Sequence, residues 1–147
     1  LGTLPVFSLY GGGSMRPKKA ALDRVDVLIY DIQDVGSRAY TYIWSLAEVM
    51  AAAAEHNKRV FVLDRPNPLG GLTVDGPVIE KKWLSFIGLY PVPRVYGLTV
   101  GEFARFFEMK LTRSAVFNFF DKLTEKNLFI LGIPWDRKEL ERVTEFK

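Results

Sequence analysis

Short apolar runs recur along the first half of the chain, and each is followed by an acidic residue or a turn. Val25–Tyr30 and Arg59–Leu63 are runs rich in β-branched residues that end in Asp31 and Asp64. Runs of this kind are typical of parallel strands that helices cover on both faces. A further run, Val6–Tyr10, ends at three glycines and also predicts a strand.

The segments between and after these runs have the composition of helices. Tyr40–Asn57 is rich in Ala, Leu, Met and Glu, so the order strand, helix, strand over residues 25–63 predicts a right-handed parallel crossover. Thr99 with Glu102 three residues later is the pattern of a capping box. Four shorter helices are predicted, at Pro17–Asp23, Thr99–Met109, Ser114–Leu123 and Trp135–Phe146. The sequence therefore predicts an α/β fold, with a partly parallel sheet flanked by helices and with C-terminal helices.

Residues 65–98 have a different character, because proline and glycine recur throughout them. Structureless loops longer than about 15 residues are usually functional. Three aromatic residues of this loop, Trp83, Phe86 and Tyr90, are expected either to seal it or to stack on a sugar ring. The sequence predicts a functional loop here.

Composition narrows the class of protein. The chain has 147 residues, of which 48% are hydrophobic, 14% aromatic and 25% charged, as in one globular domain. Cysteine is absent, so disulfides and thiolate chemistry are excluded, and the single histidine, His56, excludes a multi-histidine metal site. The net charge of +3 is spread along the chain, so no nucleic-acid partner is expected. No apolar run approaches the roughly 20 residues of a membrane span, and no signal peptide is visible.

Polar residues cluster after the two best-defined strands. Ligands of open α/β sheets bind outside the carboxyl ends of the strands, so two parallel neighbours would bring these residues to one edge. Each residue alone is more often a helix cap or a loop tie, but the cluster as a whole favours a binding site. The cluster comprises Asp31, Gln33, Asp34, Arg38, Tyr40, Tyr42, Asp64, Arg65 and Asn67.

A dinucleotide-dependent oxidoreductase is the weakest of the functions considered. Gly11-Gly12-Gly13 follows a predicted strand, but the spacing G-x-G-x-x-G is missing. The pattern therefore argues against a nucleotide cofactor.

Several long motifs, in order, resemble one family, the NamZ-type exo-β-N-acetylmuramidases. The resemblance covers residues 5–106. The motifs are Ser8-Leu9-Tyr10-Gly11, Asp31-Ile32-Gln33-Asp34-Val35-Gly36-Ser37-Arg38, Tyr40-Thr41-Tyr42, Val62-Leu63-Asp64-Arg65-Pro66-Asn67-Pro68 and Gly97-Leu98-Thr99-Val100-Gly101-Glu102.

The resemblance implies a bacterial glycosidase of peptidoglycan recycling that removes N-acetylmuramic acid from non-reducing ends and needs no metal or cofactor. It implies a Rossmann-like fold, with residues 1–109 as a partial catalytic domain. Residues 110–147 resemble the far C-terminus of the family. A periplasmic or secreted location is expected.

Site roles follow from the chemistry that such a glycosidase needs. Asp31, Asp34 and Glu102 are the expected catalytic carboxylates. Arginine suits the lactyl carboxylate of muramic acid, and amides suit its N-acetyl and hydroxyl groups. The expected substrate-binding residues are Gln33, Arg38, Tyr40, Tyr42, Asp64, Arg65 and Asn67.

The chain also departs from the family pattern. It lacks the Pro-Glu-His-Gly motif expected upstream, and Tyr96-Gly97-Leu98-Thr99 stands where the family has His-Gly-Met-Thr. An alternative function is therefore a catalytically inactive remnant that binds muropeptides or sugars. A sheet without its first strand exposes an edge and a face. We expect either a homodimer through this edge or repacking of the C-terminal helices over the face.

Overall fold

The computed structural model describes residues 4–10, 15–113 and 128–131. Within them, three helices and three strands follow one another in the order α1, β1, α2, β2, α3, β3, with a short 3₁₀ helix before α3. Their bounds are α1 Lys19–Leu22, β1 Val27–Tyr30, α2 Tyr42–Glu55, β2 Arg59–Leu63, the 3₁₀ helix Lys81–Trp83, α3 Val100–Arg113 and β3 Leu128–Leu131.

The strands form a parallel sheet in the order β1-β2-β3. Leu28 lies opposite Val60, and Val60 lies opposite Leu128. Two consecutive crossovers that advance in the same direction place both helices on one face when each has the usual right hand. The predicted α/β fold and the parallel crossover over residues 25–63 are confirmed.

The core lies between that face of the sheet and the helices α2 and α3. Val60 and Val62 of β2 are fully buried, as are Trp44 of α2 and Phe103 and Phe107 of α3. Fully burying one such side chain contributes roughly 1.5–3 kcal/mol, so this layer is the main source of stability. The nearly all-apolar stretch of α2 is explained by its position, because the helix is covered on most sides.

The opposite face of the sheet has no described helix on it. Ile29 of β1 is 68% exposed and Leu131 of β3 is 52% exposed. On the same face, Phe61 and Phe129 stack with ring centroids 4.5 Å apart. Among the described residues, helices therefore cover one face of β1. Two crossovers of one hand use only one face.

Two further differences from the predicted elements concern strands. Val6–Tyr10 is not a strand, because its backbone makes no ladder with β1. The Tyr10 hydroxyl instead lies 3.0 Å from the Ser45 hydroxyl of α2. The strand β3 was not predicted. The helices predicted at Ser114–Leu123 and Trp135–Phe146 lie outside the described residues.

The loop over residues 65–98 folds back on the segment after β1. Val95 forms bridges with both Ser37 and Asp75. Phe86 and Tyr90 pack against the core, whereas Trp83 is 67% exposed. Two of the three aromatics thus seal the loop.

Candidate functional site

The carboxyl edge of the sheet brings two predicted site residues into contact. Asp31 and Arg65 follow the adjacent strands β1 and β2 closely, and the Arg65 guanidinium forms an ion pair with the Asp31 carboxylate. Both side chains remain about half exposed, at 50% and 43%. This carboxylate is consequently accessible to a ligand.

Asp34, by contrast, is buried, with 4% of its surface exposed. Its Oδ2 atom accepts hydrogen bonds from the Tyr96 hydroxyl at 2.6 Å and from the Gly36 amide at 3.2 Å. Its Oδ1 atom has no partner among the described residues. Burial, and then the hydrogen bond to Asp34, raise the pKa of Tyr96, so the phenol stays protonated and donates.

Asn67 fixes the loop that crosses this edge. Its amide nitrogen donates to the carbonyl oxygens of Tyr96 at 2.7 Å and Leu98 at 3.0 Å, and its Oδ1 accepts the Leu69 amide at 2.9 Å. Gly36 lies against it at a φ of +74°, and a Cβ there would come within 2.4 Å of Asn67 Oδ1. Both the backbone conformation and the close approach therefore favour glycine at this position.

Asp64 and Glu102 hold the start of α3. The Thr99 hydroxyl donates to Asp64 Oδ2 at 2.8 Å, and the Gly101 amide donates to Asp64 Oδ1 at 2.7 Å. The Thr99 amide donates to Glu102 Oε2 at 2.9 Å, and the Glu102 amide donates to the Thr99 hydroxyl at 3.1 Å. This confirms the predicted capping box, in which both side chains satisfy free helix amides.

The remaining predicted residues lie between the end of β1 and the start of α2. Arg38 donates to the carbonyl oxygens of Pro77, at 2.9 Å, and Val92. Gln33 donates to the Pro66 carbonyl at 3.2 Å. Tyr40 is half exposed, and its ring centroid lies 6.0 Å from that of Tyr42. Arg38 thus ties loops together, while Gln33 and Tyr40 remain accessible.

A groove of about 580 Å³ opens beside Asp31, along the outer edge of β1. Its lining includes Phe7, Tyr10 and Tyr30, together with Lys18 of the segment before α1. Small-molecule sites have volumes of about 300–1,000 Å³ and are mostly apolar with a few polar groups. The groove has the size and composition to hold a sugar ring.

Tyr10 and Tyr96 are not among the site residues predicted from the sequence. Tyr10 lines the groove, and Tyr96 is the hydrogen-bond donor to Asp34. The available signal was their place in the family motifs, since Tyr10 lies in the Ser8–Gly11 motif and Tyr96 at a departure from the pattern. The contact between Tyr96 and Asp34 does not follow from local spacing, because 62 positions separate the two residues.

Replacing Tyr96 by phenylalanine is expected to lower the free energy of unfolding by about 1–3 kcal/mol, because the buried Asp34 carboxylate loses a donor. Urea unfolding followed by circular dichroism measures this change. Tyr40→Phe is the matched control, since Tyr40 is half exposed, and its effect should stay within about 0.5 kcal/mol. Equal urea midpoints for Tyr96→Phe and the wild type would contradict the role given to the hydroxyl.

Among the residues with described positions, no cluster of three or more His, Asp or Glu side chains is placed to hold a metal ion. In the same part of the chain, no helix has the length and apolarity to cross a membrane.

Comparison with known proteins gives consistent relatives. Residues 2–137 match the family model described as exo-β-N-acetylmuramidase NamZ, N-terminal. The peptidoglycan β-N-acetylmuramidase NamZ of Bacillus subtilis (strain 168) is 47% identical over 112 residues, which cover 76% of this chain and 27% of that protein. The chain thus spans about a quarter of the length of this curated relative.

Two crystal structures of DUF1343 family proteins from Bacteroides fragilis NCTC 9343 have the same fold. One matches with a TM-score of 0.69 at 40% identity, over 96% of this chain and 34% of that one. The other matches with a TM-score of 0.66 at 35% identity, over 83% of this chain and 33% of that one. Since the family model covers nearly the whole sequence and the fold agrees, this chain belongs to the NamZ exo-β-N-acetylmuramidase family, in its N-terminal part.

Proposed function

We propose that this chain binds and hydrolyses peptidoglycan fragments that end in N-acetylmuramic acid, releasing that sugar from the non-reducing end. The observation that carries the proposal is the 47% identity with a peptidoglycan β-N-acetylmuramidase. The accessible Asp31–Arg65 pair beside a sugar-sized groove supports it. Because peptidoglycan lies outside the cytoplasmic membrane, the proposal includes a periplasmic or secreted location.

In this proposal Asp31 is the carboxyl group that acts at the glycosidic bond. Hydrolysis needs an acid at the leaving oxygen and a carboxylate that assists water or stabilises an oxocarbenium-like transition state. Asp31 is exposed at the groove, whereas Asp34 and Glu102 accept hydrogen bonds from the protein itself. Asp34 and Glu102 therefore enter the proposal as groups that keep the edge in shape.

Arg65 is proposed to recognise the lactyl carboxylate of muramic acid. The guanidinium has five donors, and its Nη2 atom contacts Asp31, so it can hold Asp31 and a substrate carboxylate together. Gln33, Tyr40 and Tyr42 are proposed to contact the hydroxyl and N-acetyl groups. Arg38, Asp64 and Asn67 support the edge through their backbone contacts.

A second candidate function is a sugar-binding module without catalysis. It is favoured by one observation, that three of the four acidic residues at this edge, Asp34, Asp64 and Glu102, are engaged within the protein. A glycosidase normally uses a pair of carboxyl groups. Asp31 is the most exposed of the four, so binding without turnover becomes the alternative.

The 4-nitrophenyl β-glycoside of N-acetylmuramic acid separates the two functions. Release of nitrophenol by the full chain is the expected result. The N-acetylglucosamine glycoside, which lacks the lactyl group, is the matched control and should react at least about 10-fold more slowly if Arg65 loses a charged hydrogen bond. Saturable binding of N-acetylmuramic acid without release, measured by calorimetry, would favour the binding module. If the chain neither releases nitrophenol nor binds N-acetylmuramic acid, both candidate functions are contradicted.

A further inference from the structure

Trp83 is an aromatic residue of the 65–98 loop that belongs neither to the core nor to the lining of the groove. Its surface is 67% exposed, whereas Phe86 and Tyr90 of the same loop pack against the core. One exposed apolar side chain means little by itself, because such residues occur singly on most protein surfaces. The backbone around Trp83 and its neighbours therefore decide what the indole can do.

The backbone holds Trp83 in a fixed position. Trp83 ends the short 3₁₀ helix, and its amide donates to the Glu80 carbonyl at 2.9 Å. Just after it, Ser85 and Gly88 exchange two backbone hydrogen bonds, of 3.2 and 2.8 Å, which close a tight hairpin. Gly88 is buried against Ile79, since a Cβ at Gly88 would come within 2.8 Å of Ile79 Cδ1. Hydrogen-bonded turns on both sides thus present the indole on an ordered element, which reduces the entropy lost on binding.

The same hairpin touches the wall of the groove. Phe86, inside the hairpin, contacts the Tyr10 ring edge to face, with ring centroids 6.4 Å apart. Tyr10 lines the groove and is 51% exposed. Three residues of fully extended chain span at most about 11 Å, so the backbone of Trp83 lies within that distance of Phe86. Trp83 is therefore close to the part of the groove wall that Tyr10 forms.

An exposed indole with charged neighbours suits a pyranose ring. The face of the indole is negative, so the weakly positive C–H groups of a sugar pack flat against it, as cations do. Sugar hydroxyls then need hydrogen-bonding groups beside the ring. Glu80 and Lys82 can supply them, because their exposed side chains form an ion pair at 3.0 Å and Lys82 Nζ lies 5.7 Å from the ring centroid of Trp83. Trp83 thus has the surroundings of a sugar subsite.

The proposed reaction determines which sugar can reach this surface. A protein that releases the non-reducing terminal sugar holds that sugar in the groove beside Asp31. Every further sugar of the glycan is then on the reducing side of the cleaved bond and leaves the groove. A sugar on that side needs a surface next to the groove, and Trp83 is in such a place.

We propose that Trp83, flanked by Glu80 and Lys82, forms a subsite that stacks on a sugar of the leaving part of the glycan, on the reducing side of the cleaved bond. Contacts with remote parts of a substrate can raise kcat/KM, so this subsite favours longer glycans over glycosides with a single sugar. The inference rests on the proposed function, because it needs the terminal muramic acid in the groove.

A peptidoglycan tetrasaccharide with muramic acid at its non-reducing end tests the subsite in the full chain. Trp83→Ala is expected to lower kcat/KM for this tetrasaccharide at least about 10-fold, or about 1.4 kcal/mol, as for one lost stacking contact. For the methyl β-glycoside of N-acetylmuramic acid, which has no further sugar, kcat/KM should stay within about twofold. If the chain binds without hydrolysis, calorimetric Kd values for the same two compounds replace kcat/KM.

Two further substitutions separate stacking from loss of apolar surface. Trp83→Phe keeps an aromatic face and should retain most of the preference for the tetrasaccharide, whereas Trp83→Leu should lose it. Ile87→Ala is the matched control, because Ile87 is an apolar residue of the same hairpin and is 61% exposed. It should leave both kcat/KM values unchanged. All four variants alter exposed side chains, so their urea midpoints should equal that of the wild type.

The possible failures are distinguishable. If Trp83→Ala handles the tetrasaccharide as the wild type does, the subsite is overturned and the proposed function stands. Equal losses on the tetrasaccharide and the methyl glycoside also overturn the subsite, because they would place the effect in the groove. If the wild type neither hydrolyses nor binds the tetrasaccharide, the subsite and the proposed function are both contradicted.

Discussion

Asp31→Asn is expected to reduce release of nitrophenol from the muramic acid glycoside by at least about 100-fold, the lower end of what a general acid or base contributes. Asparagine keeps the shape of the side chain but can neither donate an acidic proton nor carry the negative charge that pairs with Arg65. The measurement is the initial rate at saturating substrate for the wild type and the variant.

The control for this experiment lies at the other end of the same strand. Asp26 is exposed and directly precedes β1, so Asp26→Asn makes the same charge change away from the carboxyl edge. We expect its rate to stay within about twofold of the wild type, a difference of about 0.4 kcal/mol. If Asp31→Asn releases nitrophenol at a rate close to that of Asp26→Asn, Asp31 is not the catalytic carboxyl group. Asp34 and Glu102 would then be the candidates.

Asn67→Ala is expected to have the largest effect on stability, about 3–5 kcal/mol. The substitution leaves the buried carbonyl of Tyr96, and the partly buried carbonyl of Leu98 and amide of Leu69, without their partner. A buried group left unsatisfied costs about 1–3 kcal/mol, and a partly buried one costs an amount at the lower end of that range. Total stabilities are about 5–15 kcal/mol, so the loss is a large fraction. Urea unfolding followed by circular dichroism measures it.

Two comparisons define what the Asn67 result means. Gln33→Ala removes an amide at the exposed rim and should cost under about 1 kcal/mol. Asn67→Asp keeps the acceptor for Leu69 but loses both donations, so it should also destabilise. If Asn67→Ala lowers the free energy of unfolding no more than Gln33→Ala does, the loop does not depend on the hydrogen bonds of Asn67.

Asp31 and Asn67 represent two different roles among the polar residues at the carboxyl edge. Asp31 and Arg65 are accessible and paired with each other, which suits contact with a ligand. Asn67 and Arg38 donate to backbone carbonyls of the 65–98 loop, and Asp34 accepts a hydrogen bond from the Tyr96 hydroxyl of the same loop. The polar residues of this edge thus include both accessible side chains and side chains that support the loop.

The family could be predicted from the sequence because several long motifs occur in order. The prediction is confirmed by relatives that share 47%, 40% and 35% identity with this chain. The roles within the motifs were harder to predict. Asp31, Asp34 and Glu102 are equivalent by chemistry, and only burial and partners distinguish them. The division of the chain at residue 109 and the catalytic roles remain predictions.

The elements whose signals are local could be predicted from the sequence alone. The apolar runs of β1 and β2, the alanine-rich helix α2 and the Thr99–Glu102 capping box depend on neighbouring residues, so all were predictable. The parallel pairing of β1 and β2 also followed, because a strand–helix–strand unit has one favoured arrangement.

Which residues are covered and which are accessible depends on contacts between segments that are far apart in the sequence. Val6–Tyr10 has the composition of a strand but makes no backbone ladder with β1, while Leu128–Leu131 joins β2. Likewise, Tyr96 reaches Asp34 across 62 positions, and Ile29 is exposed although its run is apolar. Strand pairing, burial and long-range hydrogen bonds depend on segments distant in sequence, and no local pattern encodes those distances.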